Sequence, residues 1–260
     1  LSPVFRGYFS YGGVCIRPEI EDCFHNTKFL GLVRDYWKAA YAEPEGMLFN
    51  IQGPCAGAGA PHVDATRFRG MGLDNTPIWL MNTMTKSGLF KRWQARKAQV
   101  VTWYYRGRVG GGFVYWPEGP HAQPRVLEAP MWGRAAVVEN EMMYHTAQTN
   151  GPAAMRKPAG LALDSVMEAD PDVAGGWRIT TGGRVIQQIP EREFRFLVHW
   201  GANVYMNLEE LKMSRDHTDD ITHETAFEML IRDPPARGGN GEAPGAPRTR
   251  NPLSPRLTRL

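Results

Sequence analysis

Val100-Val101-Thr102-Trp103-Tyr104-Tyr105-Arg106, then Gly110-Gly111-Gly112, then Phe113-Val114-Tyr115-Trp116: this stretch decides the fold class. Its first and last segments are β-branched and aromatic throughout, the composition of paired strands, and the glycines between them supply a turn. The same texture extends outward. From Met47 to Trp116 the apolar residues come in short runs broken by Gly, Pro and Asn. Downstream, Arg134–Asn140 and Met142–Gln148 read as a further pair of strands. Trp177–Thr180 and Val185–Ile189 flank Thr181-Gly182-Gly183-Arg184, a hairpin signal. Phe194–Trp200 reads as the last strand. Many short strands with Gly-rich turns predict a sandwich or barrel. One interruption, Ser87–Gln99, reads as a short helix.

The flanks differ. Pro18-Glu19-Ile20 opens a helix, since Pro is tolerated in the first turn and acids suit an N-terminus. Glu19–Ala42 is expected as one or two helices. Leu208–Lys212 and Thr222–Arg232 are expected as C-terminal helices. The reading is therefore mainly β with flanking helices (α+β), one domain over 1–234. Beyond Pro234 the composition turns to Arg, Gly, Pro and Asn, and 235–260 is expected to be a disordered tail.

Composition narrows the function classes. Of 260 residues, 42% are hydrophobic and 22% charged, as in ordinary globular proteins. A net charge of +3 is too small to argue for nucleic acid. No run of eighteen apolar residues points to a membrane, and Leu1–Arg17 lacks the pattern of a signal peptide. Cys15, Cys23 and Cys55 form no CxxC pair, which fits a reducing, cytoplasmic compartment. There is no phosphate-loop or GxSxG motif, and Gly107–Gly112 does not open a helix after a strand, as a dinucleotide fingerprint must.

The sharpest chemical signal is Pro61-His62-Val63-Asp64. In extended chain, residues i and i+2 point to one side, so an imidazole and a carboxylate stand together. That is two-thirds of a facial metal triad, whose remaining ligand is a distant His. Of the seven histidines, only His145 and His199 fall in late strands; His145 stands 81 residues after Asp64.

His62-Val63-Asp64, Gly133–Val138 and Met143-Tyr144-His145-Thr146 together resemble the metal motifs of Fe(II)/2-oxoglutarate-dependent oxygenases. The resemblance spans roughly Asn50 to Trp200. It implies a double-stranded β-helix, or jelly-roll (cupin-like), barrel, with Fe(II) held by His62, Asp64 and His145. It also implies 2-oxoglutarate as cosubstrate, converted with O2 to succinate and CO2. Oxidation of a C–H bond would follow, by default hydroxylation, with desaturation or cyclisation open. Asp64 as a ligand argues against halogenation. The substrate class expected is a small molecule, such as an amino acid or a natural-product intermediate, with no nucleic-acid or membrane partner.

The family also pairs a basic residue with the far carboxylate of 2-oxoglutarate. Two arginines qualify. Strand alternation sets Arg195, Leu197 and His199 opposite Phe194, Phe196, Val198 and Trp200; an inward Arg needs an anion. Arg156 lies 11 residues after His145, nearer the usual spacing, although its surroundings do not read as a strand. Arg195 is preferred. Tyr104 is a candidate for the substrate pocket. Two rivals stay open: a cupin-type metal dioxygenase or isomerase without 2-oxoglutarate, marked by a fourth ligand such as Glu139 or His199, and a jelly-roll binding module without metal.

Overall fold

The computed structural model describes residues 1–57 and 59–232, and the backbone of 256–259. The chain opens with strands β1 (Val4–Tyr11) and β2 (Val14–Cys15), joined by Gly12 and Gly13 at positive φ. Helices α1 (Glu21–Phe24) and α2 (Thr27–Trp37) follow. The helical stretch expected over 19–42 is split because the Asn26 side chain accepts the Phe29 N–H and starts a new helix. It stops early because Lys38 turns left-handed (φ 55°). Strand β3 (Tyr41–Gln52) takes over directly.

Next come α3 (Ile78–Ser87), β4 (Lys97–Tyr105), β5 (Phe113–Trp116) and β6 (Arg125–Leu127). The short helix expected at Ser87–Gln99 thus lies one step upstream; Gly88, at φ 70°, ends it. Strands β7 (Arg134–Val138) and β8 (Tyr144–Ala147) are shorter than expected, because the Met142 and Met143 amides both turn back to the Glu139 carbonyl. A meander of β9 (Val166–Ala169), β10 (Trp177–Thr181) and β11 (Arg184–Ile189) precedes the long β12 (Arg195–Tyr205). Helices α4 (Leu208–Arg215) and α5 (His223–Arg232) come after it. Most of the expected tail, 235–260, lies outside the described residues. Within it, β13 (Arg256–Arg259) pairs antiparallel with β7, an edge strand that the tail's composition did not announce.

The large sheet has the order β13-β7-β4-β12-β3-β1-β2 and a smaller one the order β6-β5-β8. Antiparallel bridges join His62 to His145 of β8 and Cys55 to Asn150 just beyond it. Side chains alternate across the large sheet. Val101, Trp103, Tyr105, Ala136 and Val138 pack against Phe113, Tyr115 and Leu127 of the small sheet. Val100, Val137, Val198 and Trp200 face the other way, onto Phe24 and Val33 of the helices. Two indoles pin that layer: Trp200 Nε1 donates to the Phe24 carbonyl (2.8 Å) and Trp37 Nε1 to that of Lys97 (2.9 Å).

The chain between β8 and β12 is an excursion. Its meander packs on Phe5, Ile51 and Phe194, with the Trp177 and Phe194 rings stacked at 4.1 Å. The architecture is mainly β with helices at the flanks. Among the described residues, no helix is long and apolar enough to cross a membrane.

Candidate metal centre

Backbone pairing builds the centre. The His62 N–H donates to the His145 carbonyl (3.1 Å), and the His145 N–H returns the bond (2.9 Å). That exchange sets the two imidazoles side by side, with ring centroids 4.6 Å apart. The Asp64 N–H donates to the Asn140 carbonyl (2.9 Å), which brings its carboxylate to the same side. Each histidine Nε2 then lies 3.8 Å from Asp64 Oδ1. Each Nδ1 sits 3.0 Å from a carbonyl oxygen, of Ala60 for His62 and of Met143 for His145. A carbonyl only accepts, so both Nδ1 atoms carry the proton and both Nε2 lone pairs are presented. The three potential ligand atoms converge within 4.8 Å.

His145 is 7% exposed and rests against Phe113. Burial holds its pKa below the usual imidazole value, with Asp64 partly opposing, so the ring stays neutral, as a ligand must be. Beside the cluster lies a charged wall that sequence reasoning did not find. Glu141 is 6% exposed, and burial pushes its carboxyl up to about 7, against the pull of Lys97. Lys97 Nζ lies 3.7 Å from Glu141 Oε1 and 3.1 Å from Glu45 Oε2; Arg67 Nη1 donates to Glu45 Oε1 at 2.7 Å. The acids and bases of this wall come from β3, the loop after Asp64, β4 and the turn after β7. No local motif announces it.

His199, on the inward parity of β12, is not part of the convergent group. Burial, the largest influence, lowers its pKa, with Asp64 partly opposing. Glu139 lies toward Tyr36 of α2, outside the cluster, and burial pushes its carboxyl up to about 8.

Arg195 opens β12 at 1% exposure, opposite Gln52 and Tyr105 on the neighbouring strands. Its Nε donates to the Gly111 carbonyl (3.1 Å) and Nη1 to Gln52 Oε1 (3.3 Å). Gln52 is itself oriented, because its Nε2 donates to Asn150 Oδ1 at 2.7 Å. Gly111 has φ +80°, and a Cβ there would stand 2.4 Å from the Tyr105 ring, so only glycine delivers that carbonyl. Burial lowers the guanidinium pKa to about 10, leaving it cationic at neutral pH. Among the described residues it forms no ion pair. Arg156 differs: it follows a single turn at Ala153–Met155, and its Nε and Nη2 both donate to the Gly151 carbonyl, at 3.0 and 2.8 Å. It braces a loop.

Tyr104 is a correction. It pairs with Phe196 on the outward parity of β4 and packs between Phe196 and the exposed Trp132. Trp103 and Tyr105 point inward in its place. Gln52 and Asn150, which fix the surroundings of Arg195, were missed; both are buried amides with no sequence signature.

No protein-family model matches the chain, and no curated protein sequence does. Among solved structures, the chain is similar to one described as an oxidoreductase of the 2OG-Fe(II) oxygenase family, from Burkholderia pseudomallei. The identity is 15%, the match covers 78% of this chain and 68% of that one, and the TM-score is 0.41.

Proposed function

We propose that this protein is a non-haem Fe(II)/2-oxoglutarate-dependent oxygenase that oxidises a C–H bond of a small molecule. The observation that carries the reading is the convergence of His62, Asp64 and His145 with both Nε2 atoms free. Two neutral imidazoles and one carboxylate are the donor set of a facial Fe(II) site. The strand order supports the same reading. β7-β4-β12-β3 faces β6-β5-β8, and from β3 to β12 the chain passes between these layers except at the β5–β6 hairpin and the β9–β11 meander. That order fits the double-stranded β-helix which this reading implies.

His62, Asp64 and His145 would hold the iron, which with 2-oxoglutarate and O2 supplies the oxidising power for a C–H bond. The chain's own contribution is positional. The Ala60 and Met143 carbonyls fix both imidazoles in the ligand tautomer. Arg195, buried and, among the described residues, without a carboxylate partner, offers its guanidinium to the distal carboxylate of the cosubstrate. Gln52 and the Gly111 carbonyl hold that guanidinium in place. The cupin-type rival loses its marker, since neither Glu139 nor His199 joins the cluster. The three cysteines are free thiols, which fits a reducing, cytoplasmic compartment.

The test is anaerobic titration of the protein with Fe(II) and then 2-oxoglutarate, watched for the visible charge-transfer band of the chelate. A band that saturates at one equivalent of iron, and is lost in Asp64→Ala, supports the reading. Tight iron binding without any band when 2-oxoglutarate is added would sink it.

A further inference from the structure

Directly opposed residues of paired strands share a face, so the register of β1, β3, β12 and β4 sorts the inward side of the large sheet into rows. Arg6, Asn50, Leu197 and Trp103 form one row. The row on one side of it holds Gln52, Arg195 and Tyr105, and the row on the other holds Tyr8, Leu48, His199 and Val101. Burial falls along these rows from β4 to β1. Val101, Trp103 and Tyr105 are buried, Leu48, Asn50, Leu197 and His199 are half-buried, and Arg6 and Tyr8 are exposed. The small sheet packs on the β4 and β7 end of the rows. The inner face thus opens to solvent toward β1.

The chemistry of the open end suits an anion. Arg6 Nε donates to Asn50 Oδ1 at 3.0 Å. Among the described residues this is its one hydrogen bond, and it forms no ion pair. The bond engages the only acceptor atom that the two side chains own. The Nη hydrogens of Arg6 and the Nδ2 hydrogens of Asn50 remain, and they can only donate. None of the inward positions in the three rows carries a carboxylate, and a surface of one sign attracts the opposite charge. Arg195, in the next row, has its anion in 2-oxoglutarate under the proposed function; Arg6 is left for a second one. His199 links this end to the metal centre. Burial lowers its pKa most, Asp64 raises it, and His145 and Arg6 lower it further. Half-buried Leu48 and Leu197 add apolar surface beside the donors.

We propose that Arg6, oriented by Asn50, binds a carboxylate of the substrate at the open end of the inner face, with an apolar body of the substrate on Leu48 and Leu197. The substrate class is therefore a small carboxylic acid with an apolar body. This assignment rests on the oxygenase reading.

The test uses anaerobic protein loaded with Fe(II) and saturating 2-oxoglutarate, so that Arg195 is occupied. It is titrated by calorimetry with 3-phenylpropionate and with hexanoate, and with the primary amide of each, which keeps the shape and loses the charge. At least one acid should bind 1:1 with a Kd of about 1 mM or tighter, and about 5-fold or more tighter than its amide. Arg6→Gln should abolish that preference, and Arg6→Lys should keep part of it. Both variants should leave the 2-oxoglutarate titration unchanged. With Mn(II) in place of Fe(II), the proton resonances of the acid should broaden in the wild type and stay sharp in Arg6→Gln; Zn(II) protein is the diamagnetic control. Equal binding of acid and amide in both pairs, an acid preference that survives Arg6→Gln, or a bound acid that Mn(II) does not broaden each overturns the proposal. Failure of the oxygenase reading is seen separately, as a missing chelate band before any acid is added.

Discussion

Replacing Arg195 by Met removes a charge while keeping most of the side-chain volume. In the wild type the residue is 1% exposed and, among the described residues, makes two hydrogen bonds, to Gly111 and Gln52, with no anion beside it. The variant leaves those two acceptors unpaired, at about 1–3 kcal/mol each, but also relieves a buried, unneutralised cation. These effects oppose each other in the ligand-free protein, so its melting temperature is a poor reporter of the residue's role. The ligand-induced shift is a better one. A charge-assisted contact to a carboxylate is worth about 2–3 kcal/mol, so Arg195→Met should raise the Kd for 2-oxoglutarate roughly 30- to 150-fold. Take anaerobic Fe(II) protein with 2-oxoglutarate at about 100 times the wild-type Kd. The wild type gains ~2.7 kcal/mol, and a variant weakened 100-fold gains ~0.4 kcal/mol. At about 2–4 °C per kcal/mol, the shifts are ~5–11 °C against ~1–2 °C. Arg195→Lys should fall between, because an ammonium cannot reproduce the guanidinium fork. A full shift in Arg195→Met, or its loss in Arg156→Met instead, would refute the assignment.

Three further outcomes are expected. His145→Ala should lose most bound iron by elemental analysis while His199→Ala keeps it, since only His145 belongs to the convergent group; the reverse pattern would exchange their roles. Gly111→Ala should destabilise by about 2–5 kcal/mol in urea unfolding, from strain at φ +80° plus the clash with Tyr105, and an unchanged midpoint would contradict the packing. Glu139 has a folded pKa of about 8 against 4.5 for the free group. Below the lower value it is protonated folded and unfolded, so Glu139→Gln changes little there. Between the two values the unfolded chain releases a proton that the folded protein keeps, so wild-type stability falls as pH rises. The stability gained by Glu139→Gln should therefore grow from pH 5 to pH 8; a gain independent of pH would show that the carboxyl is not held protonated.

Short β-branched and aromatic runs between turn residues located β4, β5, β7, β8 and β10–β12, because those strands carry their own apolar signal. In FRFLVHW the two faces differ in character, so the inward aim of Arg195 was readable. In VVTWYYR both faces are apolar, since the large sheet is covered on both sides, and alternation alone does not say which aromatic faces in. Tyr104 was misassigned for that reason. The first half of β3, Tyr41-Ala42-Glu43-Pro44-Glu45-Gly46, is poor strand sequence, and it is extended because β12 pairs along its length. The His-Val-Asp spacing was legible as chemistry. The Gln52–Asn150 support and the Glu141–Lys97–Glu45 wall were not, because their partners come from elements far apart in sequence.

The position of β12 has a consequence for synthesis. It is a central strand of the large sheet, yet Arg195 follows its partner Gln52 by 143 residues. At about 5–20 residues per second, β3 waits roughly 7–30 s and β4 roughly 5–18 s on the ribosome before the strand that joins them is made. Through that interval each lacks its central partner, and the apolar stretches Met47–Ile51 and Val100–Tyr105 stay open along one edge, the form of nascent chain that chaperones capture. Speeding translation through the 148–194 meander, or deleting it and rejoining β8 to β12, should shorten the exposure and raise the soluble yield.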